Sequence, residues 1–367
     1  MLGGRLTFGP AVMFGTACVL AVQRDRKVLV VVLAALCGLS SPVGALSLVI
    51  ILAAVWIAKA APRGMLAAAA AAAVVPIGVL IVIFPEGGWY PFTWGSLALL
   101  SSALAVVGWF GRDIRAVRWL AVIYGIVAVS AFVVESPLGG NVVRLGWLAA
   151  GPAVALSVRK HRRIVVPVFA AFTLIWSGSY VKMAFLPPNQ TASAEYYDSL
   201  ADYLHTLPQP LRVEVVPTAT FGQADSLALQ INGIARGWET QIDRELNPVF
   251  YGDGLTASTY HAWLLDRAVS IVALPLDGVQ DKSEVEADII RGEPSYLLPV
   301  WSNADWKVYR VRDALPLADN GATVTEVQAE SLTIHAPHTG WTVVKFRFTS
   351  LYQVTVGSGC VEESPDG

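Results

Sequence analysis

Charged residues are scarce in this sequence of 367 residues: only 15% of them are charged, whereas 54% are hydrophobic. The mean hydropathy of +0.54 lies well above that of a soluble domain of this size. Only three cysteines are present, which excludes a disulfide framework. A phosphate-binding Gly-Lys-Ser loop, a nucleophile elbow and a zinc motif are also lacking. The composition therefore predicts a membrane protein.

Acidic residues are rare in the first half of the chain. Residues 1–186 hold 15 Lys and Arg but only 4 Asp and Glu, whereas residues 187–367 hold 11 and 24. This division predicts a polytopic membrane domain at residues 1–186, with cationic loops, followed by an acidic soluble part. The acidic balance of the soluble part argues against nucleic acid as its partner.

Eight apolar runs predict a membrane α-helical bundle of about eight hydrophobic segments. The runs cover residues 6–22, 28–39, 43–58, 65–84, 95–110, 115–134, 142–158 and 164–186. Several reach the roughly 20 residues that a bilayer crossing requires, and others fall short. The break at Ser40-Ser41-Pro42 predicts a hairpin of two short helices or a re-entrant pair at this point.

The charges of the connections predict an orientation in the plasma membrane. The positive-inside rule places the cationic connections, residues 24–27, 59–63, 112–118 and 159–163, in the cytoplasm. The connections at 85–94 and 135–141 carry only Glu86 and Glu135, so they are expected to face outward. Counting the crossings puts both Met1 and residues 187–367 outside the cytoplasm. We therefore expect a multi-pass protein with an extracytoplasmic C-terminal domain.

The soluble part mixes helical and strand patterns, which predicts an α/β domain at residues 187–315. Helices are predicted at 192–207 and 281–291, a half-buried strand at 211–215, a strand buried on both faces at 269–274 and an alternating strand at 306–311. Short strands at 323–328, 331–335, 341–348 and 351–356 predict a small all-β appendage at residues 316–367. Because the sequence stops in a turn, we expect this appendage to be incomplete.

Arg144 stands out because it is a cation at the outer end of an apolar run. It follows a turn that contains Gly139 and Gly140, and Asn141 lies three residues earlier on the same face. An arginine here either reaches toward lipid head groups or binds an anion such as a phosphate, which Asn141 would help to orient. Both interpretations stay open.

Two further stretches carry candidate binding residues. In the outer loop at 84–94, Trp89 and Tyr90 are either interfacial anchors or stack on a sugar ring, with Glu86 as a base. In the soluble part, Arg236, Glu239 and Asp243 would share one face if the segment around Trp238 is helical. The segment is either structural packing or a loop that faces a ligand or a partner. His335 and His338 have no carboxylate or cysteine close by, so no metal site is predicted.

Four of these stretches together resemble a family of polytopic integral membrane proteins of actinobacteria that is distantly similar to the C-type glycosyltransferases. The stretches are Leu39–Gly44, Phe84–Gly88, Gly139–Leu145 and Ala235–Asp243, of which the block Arg236-Gly237-Trp238-Glu239 is the most specific. The sequence departs from the family at Phe221-Gly222-Gln223, where His-Trp-Glu is expected. The match starts inside the membrane domain and stops within the β-rich segment, so we expect a chain truncated at both ends.

The resemblance implies a protein of cell-envelope glycan assembly that works on a polyprenyl-phosphate-linked sugar and an envelope glycan acceptor at the outer face. The catalytic carboxylate of such enzymes lies in a first outer loop that this sequence lacks, so a truncated or inactive form is expected and its catalytic residues are unknown. No cofactor is evident, and a divalent metal would need ligands from a missing N-terminal loop. The alternative is a non-enzymatic envelope scaffold or a transporter-like membrane protein.

Overall fold

The computed structural model describes residues 7–84, 87–146, 189–237 and 239–364, and Pro167 by itself. The chain divides into two compact units, residues 1–186 and 187–367. The described helices of the N-terminal unit are α1 (Phe8–Gln23), α2 (Lys27–Ser40), α3 (Pro42–Ile57), α4 (Arg63–Ile83), α5 (Trp94–Phe110) and α6 (Arg115–Val133). Those of the C-terminal unit are α7 (Glu195–His205), α8 (Thr240–Leu246), α9 (Ala257–Asp266) and α10 (Glu284–Arg291). The strands are β1 (Val213–Val215), β2 (Ile271–Pro275), β3 (Leu297–Ser302), β4 (Trp306–Val311), β5 (Thr323–Val327) and β6 (Leu332–His335).

Small residues allow the helices of the N-terminal unit to pack closely. A Cβ atom built on Gly38 in α2 would lie 2.2 Å from the carbonyl oxygen of Ala73 in α4. A Cβ atom on Gly44 in α3 would lie 2.4 Å from the Cβ atom of Ala11 in α1. The thiol of Cys37 in α2 donates to the carbonyl of the same Ala11 at 3.3 Å and so joins α2 to α1. Glycine is therefore required where α2 meets α4 and where α3 meets α1.

The prediction of about eight hydrophobic membrane segments is wrong. In the described part of the chain only α4 and α6 are long and apolar enough to cross a membrane, with 21 and 19 residues and hydropathies of 2.7 and 2.0. The other apolar helices, α1, α2, α3 and α5, have 16, 14, 16 and 17 residues. At 1.5 Å per residue they extend about 21–26 Å, less than the hydrocarbon core of about 30 Å. The runs predicted at 142–158 and 164–186 lie largely outside the described residues.

The surface of α4 agrees with membrane association. Val75, Ile81 and Val82 are 60%, 61% and 82% exposed within the protein, with no polar side chain between Val79 and Ile83. A continuous apolar surface of this kind is unusual in contact with water and is typical of a helix that faces lipid. The two long helices thus indicate that the N-terminal unit associates with a membrane.

The C-terminal unit is built on a four-stranded mixed sheet with the strand order β1-β2-β4-β3. β1 and β2 are parallel, and the other pairs are antiparallel. Along β2, Ile271 and Ala273 pack in the cluster that contains α7, whereas Val272 and Leu274 pack in the cluster that contains α9 and α10. All five residues of β2 are buried, which explains why its sequence is continuously apolar.

The edge strand β1 is buried as well, so the prediction of a half-buried strand is wrong. Val213, Glu214 and Val215 are all buried. The chain that follows covers this edge: the Val213 N–H donates to the Gly233 carbonyl at 2.9 Å, and the Ala235 N–H donates to the Val213 carbonyl at 2.8 Å. This covering segment continues directly into Arg236 and so brings its guanidinium beside Glu214.

The predicted all-β appendage is a hairpin followed by irregular chain. β5 and β6 form an antiparallel pair. The strands predicted at 341–348 and 351–356 are not formed in the described residues, where an isolated bridge joins Ala318 and Val344. Arg212 holds this chain in place, because its Nη1 donates to the Lys345 carbonyl at 2.5 Å and its Cζ lies 4.8 Å from the ring centroid of Phe346. Burial lowers the pKa of Arg212 to about 10.

Candidate functional site

Two loops of the N-terminal unit pack against each other and carry the predicted anion-binding residues. One loop joins α4 to α5 and the other follows α6. The Tyr90 N–H donates to the Ser136 carbonyl at 3.0 Å. Gly139 has a φ of +36°, and a Cβ atom there would lie 1.7 Å from the carbonyl oxygen of Tyr90. The glycine turn therefore exists because only glycine permits this contact between the loops.

Tyr124 in α6 fixes the chain that carries Asn141 and Arg144. Its hydroxyl donates to the Val142 carbonyl at 2.5 Å and accepts from the Gly146 N–H at 2.8 Å. Val142 is also buried in an apolar cluster formed with α3, α5 and α6. Two hydrogen bonds and apolar packing thus hold the backbone on either side of Arg144 in one position.

The guanidinium of Arg144 is half-buried and is held from two sides. Its Nη2 donates to Oδ1 of Asn141, and its Cζ lies 5.5 Å from the ring centroid of Phe8. Asn141 is 6% exposed and donates from Nδ2 to the Pro137 carbonyl at 3.3 Å. Among the described residues no carboxylate lies within 4.0 Å of Arg144. An oriented guanidinium without a carboxylate partner in this part of the chain is suited to bind a phosphate.

The aromatic residues of the same site lie on the loop between α4 and α5. Trp89 and Tyr90 are half-buried there. Phe92 packs edge-on against Phe132 in α6, with ring centroids 5.8 Å apart. Glu86 lies outside the described residues, so its predicted part as a base has no geometry to support it. The structure thus brings together the loop of Tyr90, the loop of Asn141 and the side chain of Arg144.

A second cluster of predicted residues forms a buried ion-pair network in the C-terminal unit. Nη2 of Arg236 lies 2.9 Å from Oδ2 of Asp243, while Nη1 lies 3.0 Å from Oε2 of Glu286 and 3.4 Å from Oε1 of Glu214. The exposed fractions of these side chains are 7% or less. One guanidinium is therefore surrounded by three carboxylates that come from β1, α8 and α10.

Polar and aromatic neighbours complete the surroundings of Asp243 and Arg236. Asp243 accepts hydrogen bonds from Nδ2 of Asn247 at 2.8 Å and from the hydroxyl of Tyr251 at 2.5 Å. Cζ of Arg236 lies 3.6 Å from the ring centroid of Phe250. These contacts fix the guanidinium and the carboxylate in one geometry, as a buried pair requires.

The network is not the helix face that the sequence predicted for Arg236, Glu239 and Asp243. α8 begins at Thr240, so Arg236 precedes the helix and its partners come from elsewhere in the fold. Glu239 is the residue before α8, and its backbone carbonyl accepts the first helical hydrogen bond from the Asp243 N–H at 2.9 Å. Trp238 lies outside the described residues. Of the predicted residues that the structure describes, only Arg236 and Asp243 are therefore joined by side-chain contact.

The carboxyls of Glu214 and Glu286 share this site with excess negative charge. Burial, followed by the neighbouring Glu286 carboxylate, raises the pKa of Glu214 well above its ordinary value. Burial also raises the pKa of Glu286, although Arg236 acts to lower it. Oε2 of Glu214 and Oε1 of Glu286 have no hydrogen-bond partner among the described residues. A proton on one of these carboxyls would remove one buried charge.

A narrow cleft beside the network limits what it can bind. Its volume is about 30 Å³, and its lining includes Arg236, Asp243, Tyr251, Lys282 and Glu286. This space holds one or two water molecules and is too small for a sugar. The network therefore joins β1, α8 and α10, and the loops around Arg144 form the better candidate for a functional site.

Sequence reasoning missed Glu214, Glu286 and Tyr124. Glu214 occupies the polar position of an alternating stretch, and this pattern predicted that its side chain is exposed to solvent. The available signal was its place between Val213 and Val215, because a carboxylate in a buried strand needs a buried partner. Glu286 lies in a polar helix, and nothing in its local pattern marks it as buried. Tyr124 is a hydroxyl within an apolar helix, which needs a partner when it is buried.

Within the described residues, no group of three or more His, Cys, Asp and Glu is arranged to hold a metal ion. Arg236 lies among the three carboxylates of the network as their cation. The chain matches no protein-family model, no curated protein and no solved structure. The resemblance to glycosyltransferase-like membrane proteins therefore stays a prediction from the sequence.

Proposed function

We propose that the N-terminal unit binds the phosphate of a polyprenyl-phosphate-linked sugar at Arg144, as part of a glycosyltransferase-like protein of the cell envelope. The observation that carries the proposal is the half-buried guanidinium of Arg144, which is oriented by Asn141 and has no carboxylate within 4.0 Å in the described part of the chain. A guanidinium fork matches two phosphate oxygens.

The loop between α4 and α5 supplies the sugar-facing side in this proposal. Its Tyr90 is joined to the Arg144 loop through Ser136, and Trp89 is the residue before Tyr90. Aromatic rings beside a phosphate site can stack on the apolar face of a sugar. Transfer to an envelope glycan acceptor would also need an acid or base, and Glu86 is the carboxylate of this loop.

The two ends of α4 support opposite membrane faces for the cationic connection and for Arg144. α4 begins at Arg63, beside the cationic connection at residues 59–63, and ends at Ile83, before the loop whose Tyr90 contacts the Arg144 loop. With 21 residues, α4 extends about 31 Å, enough to cross the hydrocarbon core of a membrane. The positive-inside rule assigns the cationic connection to the cytoplasm, so the proposal puts Arg144 on the outer face of a multi-pass protein.

A binding measurement tests the proposal. The full chain, purified in nanodiscs, is titrated with polyprenyl phosphate and with the neutral polyprenol. We expect the wild-type protein to prefer the phosphate, Arg144→Ala to lose roughly tenfold or more in affinity, and Arg144→Lys to lose less because it keeps the charge without the fork. Arg63→Ala is the matched control, since Arg63 also lies over an aromatic ring, 5.8 Å from the centroid of Trp56. Equal affinity of Arg144→Ala and wild type would contradict the proposal.

A non-enzymatic envelope scaffold is the second candidate, and the C-terminal unit favours it. Arg236 pairs with all three carboxyl groups of its buried network, and the cleft beside them has a volume of only about 30 Å³. A network of this kind stabilises a folded surface that a partner protein can contact. A wild-type chain that binds polyprenyl phosphate no better than polyprenol would favour the scaffold over the lipid-phosphate site.

A further inference from the structure

An open apolar cleft of about 900 Å³ lies beside the turn between α1 and α2. The walls of the cleft are formed by Ala17, Leu20, Val28, Leu29, Val32 and Leu33. Leu20, Leu29 and Val32 are 48%, 49% and 48% exposed, so about half of each side chain has no protein neighbour. The cleft therefore offers an extended apolar surface to a ligand that is itself partly apolar.

The rim of the same cleft is cationic. Arg24, Arg26 and Lys27 lie there with a single carboxylate, Asp25. All four side chains are exposed, and among the described residues no ion pair within 4.0 Å joins Asp25 to these cations. Three cations and one anion leave an excess of positive charge at the point where the apolar walls end.

We propose that this cleft binds an anionic phospholipid, with an acyl chain along the apolar walls and the phosphate against the cations of the rim. A ligand that matches both surfaces must be amphiphilic and negatively charged at one end. Each Lys or Arg near an anionic head group strengthens the attraction, whereas a zwitterionic head group gains much less. A free phosphate would use the rim alone and leave the walls of the cleft uncovered.

The site does not depend on the proposed polyprenyl-phosphate site. Arg144 contacts Phe8 at the start of α1, and the rim follows Gln23 at its end. The two sites are thus about 24 Å apart along the helix. Substitutions at the rim leave Arg144 and its partners unchanged, so each proposal can fail while the other stands.

Native mass spectrometry of the purified full chain tests the proposal. The protein is titrated with phosphatidylglycerol and with phosphatidylcholine of the same acyl chains. We expect the wild-type chain to bind phosphatidylglycerol about tenfold more tightly or better, and the variant Arg24→Gln, Arg26→Gln, Lys27→Gln to lose this preference while it keeps its affinity for phosphatidylcholine.

The turn between α5 and α6 provides a matched control. Together with the first turn of α6, it also carries three cations and one carboxylate, namely Arg112, Arg115, Arg118 and Asp113. The variant Arg112→Gln, Arg115→Gln, Arg118→Gln removes the same charge and is expected to keep the preference for phosphatidylglycerol. An equal loss in this control, or an absence of preference in the wild-type chain, would overturn the proposal.

A third variant separates the lipid from free phosphate. Ala17→Trp fills the cleft and leaves the rim cations in place. With its helical content checked by circular dichroism, this variant should weaken binding of phosphatidylglycerol by about tenfold. Inorganic phosphate that displaces the lipid at equal concentration, or unchanged lipid binding by Ala17→Trp, would show that the cleft does not hold an acyl chain.

Discussion

The two units of the chain bury different kinds of polar group. In the described part of the N-terminal unit the buried polar residues are Ser41 and Asn141, both uncharged. The C-terminal unit buries Arg212, Glu214, Asp243 and Glu286. A charge is hard to place inside a unit that faces lipid, so the N-terminal unit depends on close packing of small residues. The C-terminal unit contains charges and depends on their mutual compensation. The same kind of substitution should therefore act differently in the two units.

Removing the cation of the buried network should have the largest effect. Arg236→Met keeps an unbranched side chain but leaves three carboxyl groups buried without their cation. Loss of one partner of a buried ion pair destabilises a protein by roughly 3–5 kcal/mol. Hydrogen–deuterium exchange of peptides that cover β1 and β2, in the full chain, measures the change in local stability.

Arg291→Met is the control for this prediction. Arg291 makes ion pairs with Glu284 at 2.9 Å and with Asp288 at 2.8 Å, but its side chain is 42% exposed. Exposed pairs of this kind contribute only about 0–1 kcal/mol. If exchange in β1 and β2 rose equally in both variants, the network would not hold the C-terminal unit together.

A smaller effect is expected where α2 meets α4 in the N-terminal unit. Gly38→Ala places a Cβ atom 2.2 Å from the Ala73 carbonyl oxygen, so the two helices must separate. Overpacking of this kind destabilises by about 1–3 kcal/mol. Thermal unfolding of the full chain in detergent, followed by circular dichroism, should show a lower midpoint.

Gly78→Ala gives the opposite sign and serves as the control for Gly38→Ala. Gly78 lies inside α4, and a Cβ atom there has nothing within 4 Å. Alanine stabilises a helix interior by roughly 0.5–1 kcal/mol relative to glycine. A lower midpoint for Gly78→Ala, or an unchanged one for Gly38→Ala, would show that close helix contact is not what stabilises this unit.

The comparison also explains how much of the fold could be predicted. Buried strands and amphipathic helices carry local patterns, and residues 306–311 form a strand as the alternation predicts. The break at Ser41-Pro42 separates two short helices, since α2 ends at Ser40 and α3 begins at Pro42. The number of membrane crossings was predicted wrongly because a short apolar run is compatible both with a helix buried in the protein and with a helix that contacts lipid. The sequence of a short helix does not distinguish the two.

The candidate site could be predicted only where its residues are close in sequence. Asn141 and Arg144 are three residues apart, and the structure joins their side chains. Glu214 and Glu286 belong to a strand and a helix that are distant in the chain, and the fold alone brings them to Arg236. The sequence pattern of neither element predicts this contact. Periodicity indicates which face of a helix or strand is buried, but not which other element packs against that face.

The smallest predicted effect is a change in the pH dependence of the C-terminal unit. Glu214 faces Glu286, Asp243 and Arg236, and burial raises its pKa in the folded protein above the ordinary value. A raised pKa means that the folded state holds the proton more tightly, so its stabilising contribution is present at low pH and is lost as pH rises toward the folded pKa. The wild-type unit should therefore lose stability above about pH 5, with a slope of at most about 1.4 kcal/mol per pH unit from this carboxyl.

Glu214→Gln keeps a hydrogen-bond donor beside Glu286 but cannot titrate. Its stability, measured by hydrogen exchange in β1 and β2 between pH 5 and 8 and corrected for intrinsic exchange, should fall less steeply than that of the wild type. Some slope should remain, because burial also raises the pKa of Glu286. Glu284→Gln, on the exposed side of α10 with 48% of its side chain accessible, should leave the wild-type slope unchanged. Identical slopes for Glu214→Gln and wild type would mean that the network carries no proton at Glu214, and that Arg236 alone compensates three charged carboxylates.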